Sequence, residues 1–222
     1  METCIVRVWL PDRPGALGEV ATRIGDAGGE IVGIDILERS AGRAIDELAV
    51  QIPDVSAIPA LVGRIRSVPG VDIEDLRVLD GTAHDPRADV LETAAVIVGA
   101  RDRSTLLESV VTHGRRVLGG EWAAVLRIGE GEVLAGDGDL PLARWLVAFV
   151  EGSRTSARVS SGESGPDDVV WAPLPGTGLA LVVGRAGAPF RARERRQVSA
   201  LARIVDTRLL DLSRRLHPSN QG

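Results

Sequence analysis

The chain has 222 residues, 44% hydrophobic and 26% charged, with a net charge of −5 and one cysteine, Cys4. That length suits one large domain or two smaller ones with real cores, and a single cysteine excludes an intrachain disulfide. Residues 1–80 hold 8 Arg against 14 Asp and Glu, while residues 81–222 hold 18 Arg against 17, so the acidic first part argues against nucleic-acid binding there and the asymmetry points to two units.

The opening residues, METCIVRVWLPDR, lack the basic start, apolar core and small-residue cleavage site of a signal peptide. No apolar run approaches the roughly 20 residues that span a bilayer. The expected setting is the cytoplasm, with no membrane and no nucleic acid as partner.

Residues 4–10, CIVRVWL, read as a strand. Leu17, Val20, Ala21 and Ile24 then recur at helical spacing through residues 16–27, and AGG at 27–29 stops that helix. EIVGIDILER places Val32, Ile34 and Ile36 on one face of a second strand, SAGR makes a hairpin turn, and AIDELAVQI returns with Leu48, Val50 and Ile52 alternating. Val55, Ile58, Leu61, Val62 and Ile65 form a second helical stripe, PG at 69–70 ends it, and VDIEDLRVL is a last strand. The order β-α-β-β-α-β predicts a ferredoxin-like antiparallel sheet with both helices on one face. Its open edges invite pairing with another copy.

DGTAHDPRAD, at 80–89, reads as polar and turn-rich, so residues 81–89 are expected to link a first domain, 1–80, to a second, 90–222. In the second domain, helical patterns fall near 90–100 and 104–118. EWAAVLRIGEGEVLAG gives two strands around a turn, and LPLARWLVAFVEGS a helix. SRTSARVSSGESGPDD is loop-like, VVWAPLPGTGLALVVGR is a strand pair, and residues 190–216 form one long helix. This is an α+β unit with a central antiparallel sheet. On the last helix, Val198, Leu201, Val205, Leu209, Leu212 and Leu216 keep a spacing near 3.5, which suits packing on its own domain or on a second helix.

The loop at 12–15 carries the first candidate site. Asp12 can cap free amides, Arg13 adds charge, Pro14 suits a helix start, and Gly15 permits a close backbone approach. These properties build a good helix start. They equally build an anion site, because exposed amides and the helix dipole attract a carboxylate.

Three features, LPDRPGALGEV, the AGGEIVGIDI after its helix, and the order of elements, make residues 4–79 resemble an ACT domain, a ligand-sensing module of amino-acid metabolism. The resemblance implies an amino-acid ligand at the loop between first strand and first helix, held at an interface between two domains whose sheets join. Carried onto this chain, the ligand-binding residues are Asp12, Arg13, Pro14, Gly15, Ala16 and Leu17, with Glu30 and Ile31 at the start of the second strand. Many family members carry Asn at that start. Glu30 departs from this: its carboxylate suits an ammonium group and repels a carboxylate.

STLLESVVTHGRRVLGGEWAAVLRI, VVWAPLPGTGLALVVGR and FRARERRQVSALARIV make residues 90–216 similar to a GAF domain. That family senses cyclic nucleotides, tetrapyrroles, other small molecules or redox state. With no Cys in this half, covalent bilin attachment through a thiol there is excluded.

No other pattern carries chemistry. Asp46 and Glu47 are strand neighbours and face opposite sides, so they do not form an acid–base pair. His84, His113 and His217 have no metal-ligand spacing. Ser160, Ser161 and Ser164 read as polar loop, and RARERR at 191–196 as a solvated helix start, interrupted by Glu194. GEGEVLAGDG is not a phosphate-binding fingerprint. Trp122 and Trp171 fall on strands of the second domain, as core residues or as pocket walls.

The expected protein is therefore a non-enzymatic, homodimeric regulator without metal or cofactor. It senses a small metabolite, an amino acid, and relays it through the GAF-like domain to a partner protein. Two alternatives stay open: a dimeric interaction protein with a lost ligand site, which Glu30 favours, and a regulatory subunit of an amino-acid metabolic enzyme.

Overall fold

The computed structural model describes residues 1–79, 86–155 and 166–216. Two compact units divide the chain, Met1–Asp85 and Pro86–Gly222.

The first unit runs β1 (Glu2–Pro11), α1 (Ala16–Asp26), β2 (Glu30–Ser40), β3 (Arg43–Ile52), α2 (Ile58–Arg66) and β4 (Asp72–Leu79), with a short 3-10 turn at Val55–Ala57. The sheet order is β2-β3-β1-β4, antiparallel throughout. This is the ferredoxin-like arrangement expected from the sequence. Alternation along the strands explains the core: Cys4, Val6, Val8 and Leu10 of β1 and Leu48, Val50 and Ile52 of β3 meet Val20 and Ile24 of α1 and Leu61 and Ile65 of α2. Burial raises the Cys4 thiol above its ordinary range.

Two expectations shift here. Val55 is not part of the α2 stripe; it sits exposed in the 3-10 turn, where the Asp54 carboxylate accepts the Ser56 amide at 2.8 Å. Val32, Ile34 and Ile36 do share a character on β2, but it is exposure, at 42–43% each. β2 is an edge strand, so its flank lacks a neighbour. Bulges interrupt its pairing with β3 between Ile31 and Gly33 and between Ile36 and Glu38.

The β2–β3 hairpin closes on Ala41 and Gly42, both with left-handed φ, +50 and +76. Two successive left-handed residues make a type I′ turn, which favours Asn-Gly. Ala41→Asn is expected to stabilise the unit by about 0.5–1 kcal/mol, since Ala is strained there and Asn tolerates it. Urea unfolding of the two proteins checks this, and a loss of stability would refute it.

The second unit runs α3 (Pro86–Gly99), α4 (Arg103–Val117), β5 (Trp122–Arg127), β6 (Glu132–Asp137), α5 (Ala143–Thr155), β7 (Val169–Leu174), β8 (Leu179–Gly184) and α6 (Ala192–Leu216). Its antiparallel sheet has the order β6-β5-β8-β7. The expected linker 81–89 is shorter than read. Residues 86–89 already belong to α3, because proline suits the first helical position and Asp89 the first turn; residues 81–85 lie outside the described residues.

Both faces of this sheet are covered. On β8, Leu179, Leu181 and Val183 face the core shared with α3, α4 and α6, while Ala180 and Val182 face the core of α5. Val198, Val205, Leu209 and Leu212 of α6 are buried in the first of these, so that seam packs on its own unit. Trp122 and Trp171 join the second as packing residues. His84, His217, Ser160, Ser161 and Ser164 lie outside the described residues.

Candidate functional site

β1 ends at Pro11 and α1 begins at Ala16, so four residues turn the chain. Asp12 anchors the loop through its amide, which donates to the Gly42 carbonyl at 2.8 Å; the Arg13 amide donates to the Pro11 carbonyl at 2.8 Å. The Arg13 guanidinium then meets Glu19 on the first turn of α1 in a two-point pair, Nη1 to Oε1 at 2.8 Å and Nη2 to Oε2 at 2.9 Å. That hydrogen-bonded pairing holds the Glu19 carboxyl below its ordinary range.

Gly15 is the residue that precedes the helix, with φ +88, and no side chain caps α1. Asp12 therefore does not cap, contrary to the sequence reading: the turn moves the capping position on to Gly15, which has no side chain to offer. Among the described residues nothing accepts from the amides of Leu17 and Gly18. A Cβ placed on Gly15 would meet nothing within 4 Å, so the backbone stands open to approach. Ala16 is buried, and Leu17 packs against the core. Their side chains fix the helix, while their backbone forms its free end.

Glu30 and Ile31 stand elsewhere. Glu30 and Thr3 both pair with Gln51, whereas the loop follows Pro11, eight residues further along β1. Strand geometry puts about 27 Å between these levels. One copy of the sheet thus does not bring Glu30 to the loop.

A residue that sequence reading set aside lies nearer. Asp46 of β3 pairs with Val8 of β1 and Ile36 of β2, three residues before the Pro11 end. It is 4% exposed, and its Oδ1 has no hydrogen-bond partner. Burial raises its carboxyl above the ordinary value; the charge of Asp12 adds to this and that of Arg39 opposes it. The folded protein therefore keeps this proton to higher pH than the unfolded chain does. Stability from this group is full below the unfolded value and is lost as pH rises through the folded one. Asp46→Asn is expected to raise stability at neutral pH and to flatten that part of the profile. Urea unfolding at about pH 4 and about pH 7 checks both, and an unchanged slope would count against it.

Glu47, its neighbour, faces the other side. There it pairs with buried Arg7 at 2.8 Å and with Arg77 at 3.5 Å, while the Trp9 indole donates to Glu74 at 3.0 Å. On the same side Arg43 lies 4.9 Å over the Trp9 ring, beside a cleft of about 210 Å³ lined also by Glu38 and Ile45. In the second unit, a cleft of about 290 Å³ opens between α4 and β6, lined by Ser104, Glu108, Thr112 and Leu134. Among the described residues no cluster of His, Cys, Asp and Glu could hold a metal ion. No helix among them is long and apolar enough to cross a membrane.

Residues 4–73 match the family model of the ACT domain. The ACT match thus covers the first unit's segment 4–73, and the candidate site is the β1–α1 loop inside that segment. The search of curated proteins finds no match. Among solved structures, the chain is similar to the ACT domain from a GTP pyrophosphokinase of Chlorobium tepidum, with 18% identity over 37% of this chain and 91% of that one, at a TM-score of 0.29. It is similar to a formyltetrahydrofolate deformylase from Pseudomonas putida KT2440, with 14% identity over 42% of this chain and 38% of that one, at 0.27. It is also similar to the phytochrome photosensory core module of Stigmatella aurantiaca, with 14% identity over 78% of this chain and 41% of that one, at 0.36.

Proposed function

We propose that this protein is a non-enzymatic regulator whose ACT domain binds an amino acid and whose second unit, GAF-like, relays the event to a partner protein. One observation carries the reading. The matched ACT segment presents, at its β1–α1 loop, a helix start with no side-chain cap and an open Gly15. Free amides at the positive end of a helix suit a carboxylate.

The site is completed by a second copy. β2 is an edge strand whose exposed flank carries Val32, Ile34 and Ile36. Two copies of β2 related by a two-fold axis run antiparallel, so the start of one strand lies beside the end of the other. The end of β2 is level with the loop, since Ser40 and Pro11 both pair with Arg43. Pairing of this kind carries Glu30 and Ile31 of one copy to the loop of the other. Ligand then shifts the dimer arrangement to the extent that it binds one arrangement better than another.

Thermal shift with the proteinogenic amino acids tests the reading. A ligand should raise the melting temperature with its concentration. Gly15→Val should abolish that rise, because its φ strains a β-branched residue and the added atoms block the backbone. Unchanged affinity in the variant would remove the loop from the mechanism. A second reading, a dimeric interaction protein without ligand, is favoured by the Glu30 carboxylate; dimers by light scattering with no stabilising amino acid would select it.

A further inference from the structure

We propose that Asp46 receives the ammonium group of the ligand held at the β1–α1 loop. This rests on the amino-acid reading above and assigns a specificity residue within it. A carboxylate taken out of water needs a donor or a cation to replace its hydration. Asp46 is 4% exposed, yet among the described residues its Oδ1 has no hydrogen-bond partner, and the charge of Arg39 does not offset its burial. The chain itself therefore leaves this oxygen without a donor, and an ammonium group brings three donors and a positive charge.

Placement supports the pairing. Asp46 lies on the helix-bearing face of the sheet, level with Val8 and Ile36, towards the loop end of β1. At the same end the Leu17 and Gly18 amides lack acceptors among the described residues. A buried negative group and a free positive helix end are the two poles that a zwitterionic α-amino acid requires. The other carboxylates are less suited. Glu19 is engaged by Arg13, and Asp12 and Glu30 are exposed and keep their hydration.

The test compares amino acids with the carboxylic acids that lack the amino group: L-alanine beside propanoate, L-valine beside isovalerate, L-phenylalanine beside hydrocinnamate. Affinities are measured by calorimetry on the full chain and on Asp46→Asn, which removes a buried charge and should fold at least as well. Wild type should prefer an amino acid to its desamino partner by about tenfold or more, as expected for a lost charge-assisted contact. In Asp46→Asn that ratio should fall towards one. An unchanged ratio would overturn the assignment while leaving the loop site standing. Equal losses for both members of a pair would overturn it too, by making Asp46 structural. If none of the pairs, nor any other proteinogenic amino acid, stabilises the wild type, the amino-acid reading fails and the assignment goes with it.

Discussion

Arg185→Ala is expected to destabilise the second unit by about 3–5 kcal/mol, the range for removing one member of a buried pair. Arg185 is 5% exposed at the end of β8. Its Nε donates to the Ala188 carbonyl at 2.8 Å, Nη1 to Leu118 at 3.1 Å and Nη2 to Pro189 at 2.7 Å. Nη1 also meets buried Glu194 at 2.8 Å, and the guanidinium stacks 4.0 Å from the Phe190 ring. Glu194 in turn accepts the Arg191 amide at 2.7 Å and so caps the start of α6. Truncation removes one donor from each of three carbonyls and takes the buried charge partner from Glu194. A drop in melting temperature on the order of 10 °C should follow. Arg185→Met with Glu194→Gln should recover part of it, since no uncompensated charge remains. A single variant that melts like wild type would remove Arg185 from its place as the organiser of this corner.

The second large effect concerns self-association. Ile34→Arg combined with Ile36→Arg should convert the proposed dimer to monomer. The two side chains are 42% and 43% exposed in one copy. Covering the remainder is worth roughly 1 kcal/mol each. A two-fold contact contains four of them, so the dissociation constant should rise by about a thousandfold. Light scattering across the micromolar range reads this directly. A wild type that is monomeric throughout, or a variant that still dimerises, would sink the edge-pairing reading. A dimeric wild type that binds no amino acid would instead separate dimerisation from sensing.

Much of the fold was legible because its periods are clean. Residues 44, 46, 48, 50 and 52 of β3 alternate to one face, and Val20, Ile24, Leu61 and Ile65 mark the helix faces that cover it. The same alternation holds the signal for Asp46: it shares the face of Leu48 and Val50, and a lone acid among core positions asks for a partner. The loop and its Gly15 were readable from spacing and turn chemistry. What local patterns do not encode is which flank of a sheet stays uncovered, so the shared face of Val32, Ile34 and Ile36 was legible but its exposure was not. They likewise gave no sign that Glu194 is buried, because its partner Arg185 arrives from a different element. The resemblance grouped Glu30 with the loop as a ligand contact, whereas register within one copy sets them at opposite ends of the strands.

The two bulges of β2 have a further consequence. They leave only Gly33, Ile34, Asp35 and Ile36 in regular register with β3 between the interruptions. A bulge adds twist and breaks the ladder of donors and acceptors along an edge. A neighbouring strand can therefore seat on a short central run and cannot slide along it, since a one-residue slip meets an irregular stretch. In the proposed dimer this edge accepts one alignment with a like strand and is covered by it, so its apolar rim is not left as a template for further strands.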